Sequence, residues 1–246
     1  MRLLAIIPTL KKTKPYLDLC VKSLKENSVN EYEILIAENG EGTKFPQGQC
    51  KAINRVLKGK KANWIFLIND DMYFPKNWDK NIDFTISDCF SPNLVEPLEQ
   101  ESAPPFLKLD AGNSLDNFKK DAVDEFVENH QDKIIENGFN LPTFIKKELL
   151  DKIEGYDENY DPWGSNSDSD LEYQIVLTGV QPKRNRSLLV YHFGSKSGTF
   201  DGTHQDYWQK NLLYFKEKWG FDRIGSPQIW DAELDIPMDK LKYRLK

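Results

Sequence analysis

Residues Trp64–Pro75 read "WIFLINDDMYFP": five consecutive apolar side chains, then Asn69, Asp70 and Asp71, then a second apolar group. A short, uniformly apolar run rich in aromatic and β-branched residues is the pattern of a strand covered on both faces. This one ends in two adjacent carboxylates. Neighbouring negative charges at the end of a buried strand raise each other's pKa unless something positive neutralises them. No Lys or Arg lies within four residues of the pair, Lys76 being the nearest. Three readings follow: solvated loop charges, the cap of a helix beginning near Trp78, or part of a site that holds a divalent cation.

The flanking sequence sets the frame for that choice. On the N-terminal side, "LLAIIP" (Leu3–Pro8) is another apolar strand pattern. From Pro15 to Glu26, Leu17, Cys20, Val21 and Leu24 share one helical face. "EYEILIAENGEG" supplies a strand over Tyr32–Ala37, and "QCKAINRVLKG" places Ala52, Ile53, Val56 and Leu57 at helical spacing. With "WIFLI" as the third strand, this βαβαβ alternation predicts an α/β fold whose mostly parallel central sheet is flanked by helices. In such sheets ligands bind outside the carboxyl ends of the strands. Three polar strand ends should therefore converge: Pro8–Thr9, Glu38–Asn39 and Asn69–Asp70–Asp71.

Downstream, the pattern weakens between residues 91 and 137. "SPNLVEPLEQESAPPF" is turn-rich, and "LDNFKKDAVDEFVENHQDKIIENG" is a charged amphipathic stretch with Phe118, Val123, Phe126, Val127 and Ile134 as core contacts. This segment is read as a variable, lid-like insertion. Order returns with an extended piece to Ile145, a helix over Lys147–Ile153 stopped by Gly155, and a helix burying Leu171, Ile175 and Val176. The strand "SLLVYHF" and the aromatic helix "YWQKNLLYFKEKWG" follow. The expectation is one domain over 1–246: a nucleotide-binding half (1–90), the insertion (91–137), an acceptor-side half (138–220) and a tail (221–246).

Composition narrows the function classes. At 246 residues with 39% hydrophobic and 12% aromatic content, the chain can bury a full core. A formal charge of −6, with no alternation of basic and aromatic residues, argues against a nucleic acid partner. Cys20, Cys50 and Cys89 are widely spaced and form no CxxC, as expected of thiols in the cytoplasm. No apolar run approaches the length of a membrane-spanning helix, and the five apolar residues before Pro8 are too few for a signal sequence. There is no GxSxG, no GxGxxG after the first strand and no GxxxxGK[ST], so nucleophile-elbow hydrolysis, dinucleotide binding and P-loop chemistry lack their motifs.

Three further residues carry chemistry. In "PWGSNSDSDLEYQ", Asp168 and Asp170 stand where a helix should begin, and both suit capping. Asp168 is also placed to act as a general base, with Trp163 shaping a pocket and Gly164 leaving room for a ligand. His192 closes the late strand and is either structural or a companion to carboxylates around Mn²⁺. Lys196 and His204 could approach phosphate or serve as ordinary surface groups, and His130 has no assigned role.

Taken in order, these motifs resemble a family-2-type glycosyltransferase with the GT-A (nucleotide-diphospho-sugar transferase) fold, over about residues 2–75 and 138–198. "LLAIIPTL" resembles the opening strand whose Pro8–Thr9 edge borders the nucleotide. "ILIAENGEG" resembles the strand whose carboxylate, here Glu38, recognises the base. Gly48, Ala52 and Asn54 in "GQCKAINRVL" resemble the helix before the acidic motif, which is written here Asn69-Asp70-Asp71. "FIKKELLDKIEGYDENYDPWGSNSDSDLEYQIVLTG" resembles the acceptor-side block, with Ser167-Asp168 where Glu-Asp is usual. The resemblance implies Pro8, Thr9, Glu38, Asn54, Asn69 and Asp70 around the nucleotide, and Asp71 with His192 on Mn²⁺ or Mg²⁺. It makes Asp168 the base in an inverting transfer from a nucleotide-sugar, a UDP-sugar foremost, to a hydroxyl of a glycan or other acceptor. Two other readings stay open: a nucleotidyltransferase of related fold, for which "PTLKKTKPY" lacks a glycine, and a catalytically silent sugar-nucleotide-binding or scaffold protein.

Overall fold

The computed structural model describes residues 1–39, 48–100, 106–130, 132–194, 196, 205–223, 236–237, 239–243 and 245. His204 lies outside them. The first half follows the βαβαβ reading: β1 (Leu3–Leu10), α1 (Lys14–Asn27), β2 (Tyr32–Asn39), α2 (Gln49–Leu57) and β3 (Trp64–Leu67). β1 lies between β2 and β3 and runs parallel to both, with Leu3 opposite Tyr32 and Trp64. Its side chains alternate between two cores: Leu4 and Ile6 enter one, and Leu3, Ala5 and Ile7 enter the other. That division is why the strand is apolar at every position.

The second half adds β4 (Met72–Tyr73), β5 (Cys89–Pro97), β6 (Leu107–Leu109), α3 (Lys120–Asn129), β7 (Ile135–Asn137), β8 (Thr143–Lys146), α4 (Lys147–Lys152), α5 (Ser167–Leu177), β9 (Lys183–His192) and α6 (Gln205–Trp219). The sheet order is β2-β1-β3-β8-β5-β9-β4, with β6 beside β5 and β7 beside β9. The longest ladders, β1 with β2 and β5 with β9, are parallel; β8 meets both β3 and β5 antiparallel. One core lies under α2, α4, α5 and α6, and the other is an aromatic stack in which Phe66 and Phe144 lie 3.9 Å apart, centroid to centroid.

Three expectations need correction. Residues 91–97 are not part of an insertion, because β5 is buried along its whole length between β8 and β9. Pro92 hid it from the strand pattern. It sits at the register shift between Pro92 and Asn93, where a strand can accommodate a residue without an N–H. Further along, Phe118 ahead of α3 and Val123, Phe126 and Val127 on it pack against the sheet, but Ile134 is exposed. Around Trp78 the chain forms turns and no helix; the indole donates to Ser28 Oγ (2.9 Å) and stacks in the aromatic core. In the tail, Ile236 and Leu241 pack into the core beneath α6. Among the described residues no helix is long and apolar enough to cross a membrane, and all three cysteines are buried and unpaired.

Candidate active site

The carboxyl ends of β1, β2 and β3 open on a cleft of about 220 Å³. Pro8, Thr9, Asn39, Asn69, Asp70 and Asp71 line its sheet side together with His192. The opposite wall is the loop Pro162–Asn166 and Asp168 at the start of α5. Seven of the nine residues selected from sequence thus meet in one place: Pro8, Thr9, Asn69, Asp70, Asp71, Asp168 and His192. Glu38 and Asn54 do not.

The adjacent aspartates are compensated in different ways. Asp70 Oδ2 accepts from Thr9 Oγ1 (2.6 Å) and from the Thr13 hydroxyl in the turn between β1 and α1. Burial nevertheless pushes its carboxyl up to about 6, the two hydroxyl hydrogen bonds offsetting part of that rise. Asp71 is buried as well, yet its carboxyl is held below the usual range. Burial raises it, but His192 opposes that rise, with Nε2 3.5 Å from Asp71 Oδ1, as does the Lys196 backbone N–H, which donates to Oδ2 (3.2 Å). The positive charge absent from the local sequence therefore arrives from the end of β9. The Phe193 N–H donates to the Asp71 carbonyl (3.0 Å) and fixes that approach. Lys196 contributes its backbone here.

His192 is held between two carboxylates. Its Nδ1 lies 2.8 Å from Glu96 Oε1 on β5, and its pKa is raised to about 10: burial lowers it, but Asp71 and Glu96 more than reverse that effect. The sheet brings the three together. Val95 pairs with Tyr191 across β5 and β9, and Met72 pairs with His192 across β4 and β9. Glu96 was missed in sequence because β5 was missed; a lone charge in a wholly buried strand would have marked it.

Asp168 differs again. Its Oδ1 is shut off from solvent and has no hydrogen-bond partner. Three neighbouring side-chain atoms, Tyr156 Oη, Asn166 Nδ2 and Ser167 Oγ, are buried and unpartnered in the same way. Desolvation pushes the Asp168 carboxyl up to about 6, against smaller lowering influences from the nearby Tyr156 hydroxyl and the Arg223 guanidinium. Buried polar atoms without partners are uncommon in folded proteins. Of these residues Asp168 and Asn166 line the cleft, where a polar ligand can satisfy them.

The two sequence candidates outside the cleft have other roles. Glu38 is exposed; its neighbour Asn39 is buried and takes the place on the cleft wall. The amide of Asn54 accepts from Tyr156 N (3.0 Å) and donates to Tyr156 O (2.8 Å) and Glu158 Oε1 (3.1 Å). The same helix is tied a second time, because Asp161 accepts from the N–H groups of Cys50 (2.9 Å) and Lys51 (3.0 Å) and so caps α2 from a distant loop. Gly48, at φ +124°, leaves room for that carboxylate, which a Cβ would overlap. Gly48 and Asn54 therefore anchor the loop that forms the far wall of the cleft.

Among the described residues, no group of three or more His, Cys, Asp or Glu side chains is arranged to hold a metal ion. Asp71 and His192 make a two-residue donor set of oxygen and imidazole nitrogen. This fits Mn²⁺ or Mg²⁺ in the mode in which substrate phosphates and waters complete the coordination sphere.

No protein-family model matches the sequence, and no curated protein matches it by sequence. Solved structures do match by fold. A crystal structure of S. aureus TarS residues 1–349 superposes with a TM-score of 0.52 at 15% identity, covering 78% of this chain and 60% of that one. GalNAc-T7 crystallised with UDP, GalNAc and Mn²⁺ gives a TM-score of 0.59 at 12% identity, covering 89% of this chain and 48% of that one. A second TarS structure gives 0.53 at 14% identity, over 91% and 44%. The chain thus spans between 44% and 60% of the length of these neighbours. They are GT-A glycosyltransferases, and the fold of this chain is of that type.

Proposed function

We propose that the protein is a metal-dependent, inverting glycosyltransferase. In this reading it moves a sugar from a nucleotide-diphosphate donor, a UDP-sugar foremost, to a hydroxyl of a glycan or other acceptor. The observation that carries the reading is the makeup of a single cleft. One wall bears Asp70, Asp71 and His192 at the carboxyl edge of the sheet, and the other bears Asp168, a half-buried carboxylate whose Oδ1 is enclosed and unpartnered. The UDP and Mn²⁺ bound to GalNAc-T7, a neighbour in fold, support the choice of donor and ion.

Asp71 and His192 would hold the cation. Bound there, it supplies positive charge to the diphosphate leaving group. Thr9 and Thr13 keep Asp70 fixed beside the ribose and phosphate end, and Asn39 faces the base. Asp168 accepts the proton from the acceptor O–H. The acceptor oxygen forms its bond to the anomeric carbon on the face opposite the departing diphosphate oxygen, and the configuration inverts. A base with pKa near 6 is ionised at neutral pH and still able to accept a proton in the transition state.

A panel of UDP- and other nucleotide-sugars with Mn²⁺ tests this reading, followed by thermal stabilisation and nucleotide release. A UDP-sugar should stabilise the protein only with the metal present, and Asp71→Ala should remove that dependence. The anomeric configuration of the product, read by NMR, should be inverted; retention would overturn the role of Asp168.

A further inference from the structure

We propose that Glu96 is the positioning residue for His192, holding the imidazole by Nδ1 so that Nε2 faces Asp71 and the cation site. The proposal rests on the placement of Asp71 and His192 at the cation made above, and adds to it a residue on a different strand.

Glu96 is 2% exposed and lies one residue before the end of β5, in the middle of the sheet. A carboxylate so deeply buried is costly unless it is paired. Its Oε1 lies 2.8 Å from His192 Nδ1 and accepts from Gln100 Nε2 at 3.3 Å, and its Oε2 lies 3.6 Å from Lys108 Nζ on β6. Lys108 is a sufficient counter-charge for a purely structural glutamate. The short contact to Nδ1 does something else. It determines which ring nitrogen turns inward to Glu96 and which turns outward to Asp71, 3.5 Å away. A histidine that ligates a metal through one nitrogen is commonly oriented by a carboxylate on the other, which fixes the ring and raises its basicity. The register makes this orientation a property of the sheet, since Glu96 follows Val95, the partner of Tyr191, and His192 follows Tyr191.

The test is a Mn²⁺ titration in the presence of UDP, read by the electron paramagnetic resonance signal of the free ion. It is run on wild type, Asp71→Asn, His192→Ala, Glu96→Leu and Glu96→Gln. Glu96→Leu should weaken Mn²⁺ binding about 10–100-fold. Glu96→Gln, close in shape and still able to accept from Nδ1, should weaken it about fivefold, the difference between a charge-assisted and a neutral hydrogen bond. Metal-free UDP affinity should stay at the wild-type level in both, whereas general damage to the cleft would lower it. Wild-type Mn²⁺ affinity in Glu96→Leu, with His192→Ala weakened, overturns the proposal and leaves the metal site standing. Should Glu96→Leu prove too unstable to titrate, wild-type affinity in Glu96→Gln overturns it instead. If Asp71→Asn and His192→Ala both bind like wild type, the metal assignment itself fails, and the role of Glu96 fails with it.

Discussion

Asp168 and Asp170 stand two residues apart on the first turn of α5, and their surroundings differ sharply. Asp170 faces α6. It accepts from Tyr160 Oη (3.1 Å), Gln174 Nε2 (2.8 Å), Lys218 Nζ (2.9 Å) and Trp219 Nε1 (2.8 Å). Asp168 faces the cleft, and its Oδ1 meets no donor. Burial raises both carboxyls, but around Asp170 the Lys218 charge and hydrogen bond oppose the rise, while around Asp168 the opposing influences are few. A buried charge that the protein satisfies fully is architecture. One left unsatisfied beside a cleft is a cost to stability, and function is the usual reason such a cost persists.

The strongest way to break this comparison is to neutralise each member. Asp168→Asn should lower transfer by about 10²–10⁴-fold, the contribution of a positioned base. It should leave UDP and Mn²⁺ binding intact and the melting temperature unchanged or higher, because a desolvated charge is removed. Full activity at saturating substrates would show that Asp168 is not the base. Asp170→Asn should do the reverse. It removes one of the two carboxylates that hold the buried Lys218, leaving Asp157 at 2.8 Å, and disturbs the acceptors of Gln174 and Trp219. It should lower the melting temperature on the order of 5 °C, with KM near wild type in the protein that remains folded. A thermal melt and a KM determination on the same preparation separate the two residues.

A smaller effect tests whether the wall carrying Asp168 is positioned from α2. Gly48→Ala places a Cβ against the Asp161 carboxylate and should cost about 1–3 kcal/mol of stability. It should also raise the acceptor KM more than the donor KM; equal changes would argue that the loop is not held by this contact. The smallest effect is on pH dependence. Because the Asp168 pKa is raised to about 6, the folded protein holds an extra proton between the ordinary carboxylate range and that value. Ionisation of Asp168 therefore lowers stability as pH rises through this window, while kcat/KM should rise through it and level off above. Arg223 lowers the Asp168 pKa, so Arg223→Met should move the acidic limb of the rate profile upward. A limb that stays in place would assign it to another group.

Much of this was legible in the sequence, and the limits have physical causes. Strands buried on both faces announce themselves through uninterrupted apolar runs, so β1, β2 and β3 and their converging ends could be read directly. β5 could not, because Pro92 and Asn93 break the run where the ladder shifts register. Glu96 was hidden with it. The difference between Asp168 and Asp170 was also beyond reach, since Lys218 and Trp219 come from a helix about 50 residues away. Glu38 fell on the wrong side of an alternating strand: Ala37 and Asn39 point inward, and Glu38 between them points to solvent. Asn54 occupies a position that the family resemblance gives to the nucleotide, but here its amide is consumed by the Tyr156 backbone.

The double attachment of α2, through Asp161 at its first turn and through its sixth residue, Asn54, bears on how the protein can be re-engineered. The loop over residues 155–166 looks like a removable cassette, the natural segment to exchange in a search for new acceptors. It is stitched to a helix that lies about 100 residues earlier in the chain. A graft that replaces the loop alone would strand the cap of α2 and the amide of Asn54 together. The transplantable unit is discontinuous: the loop, Gly48 and Asn54.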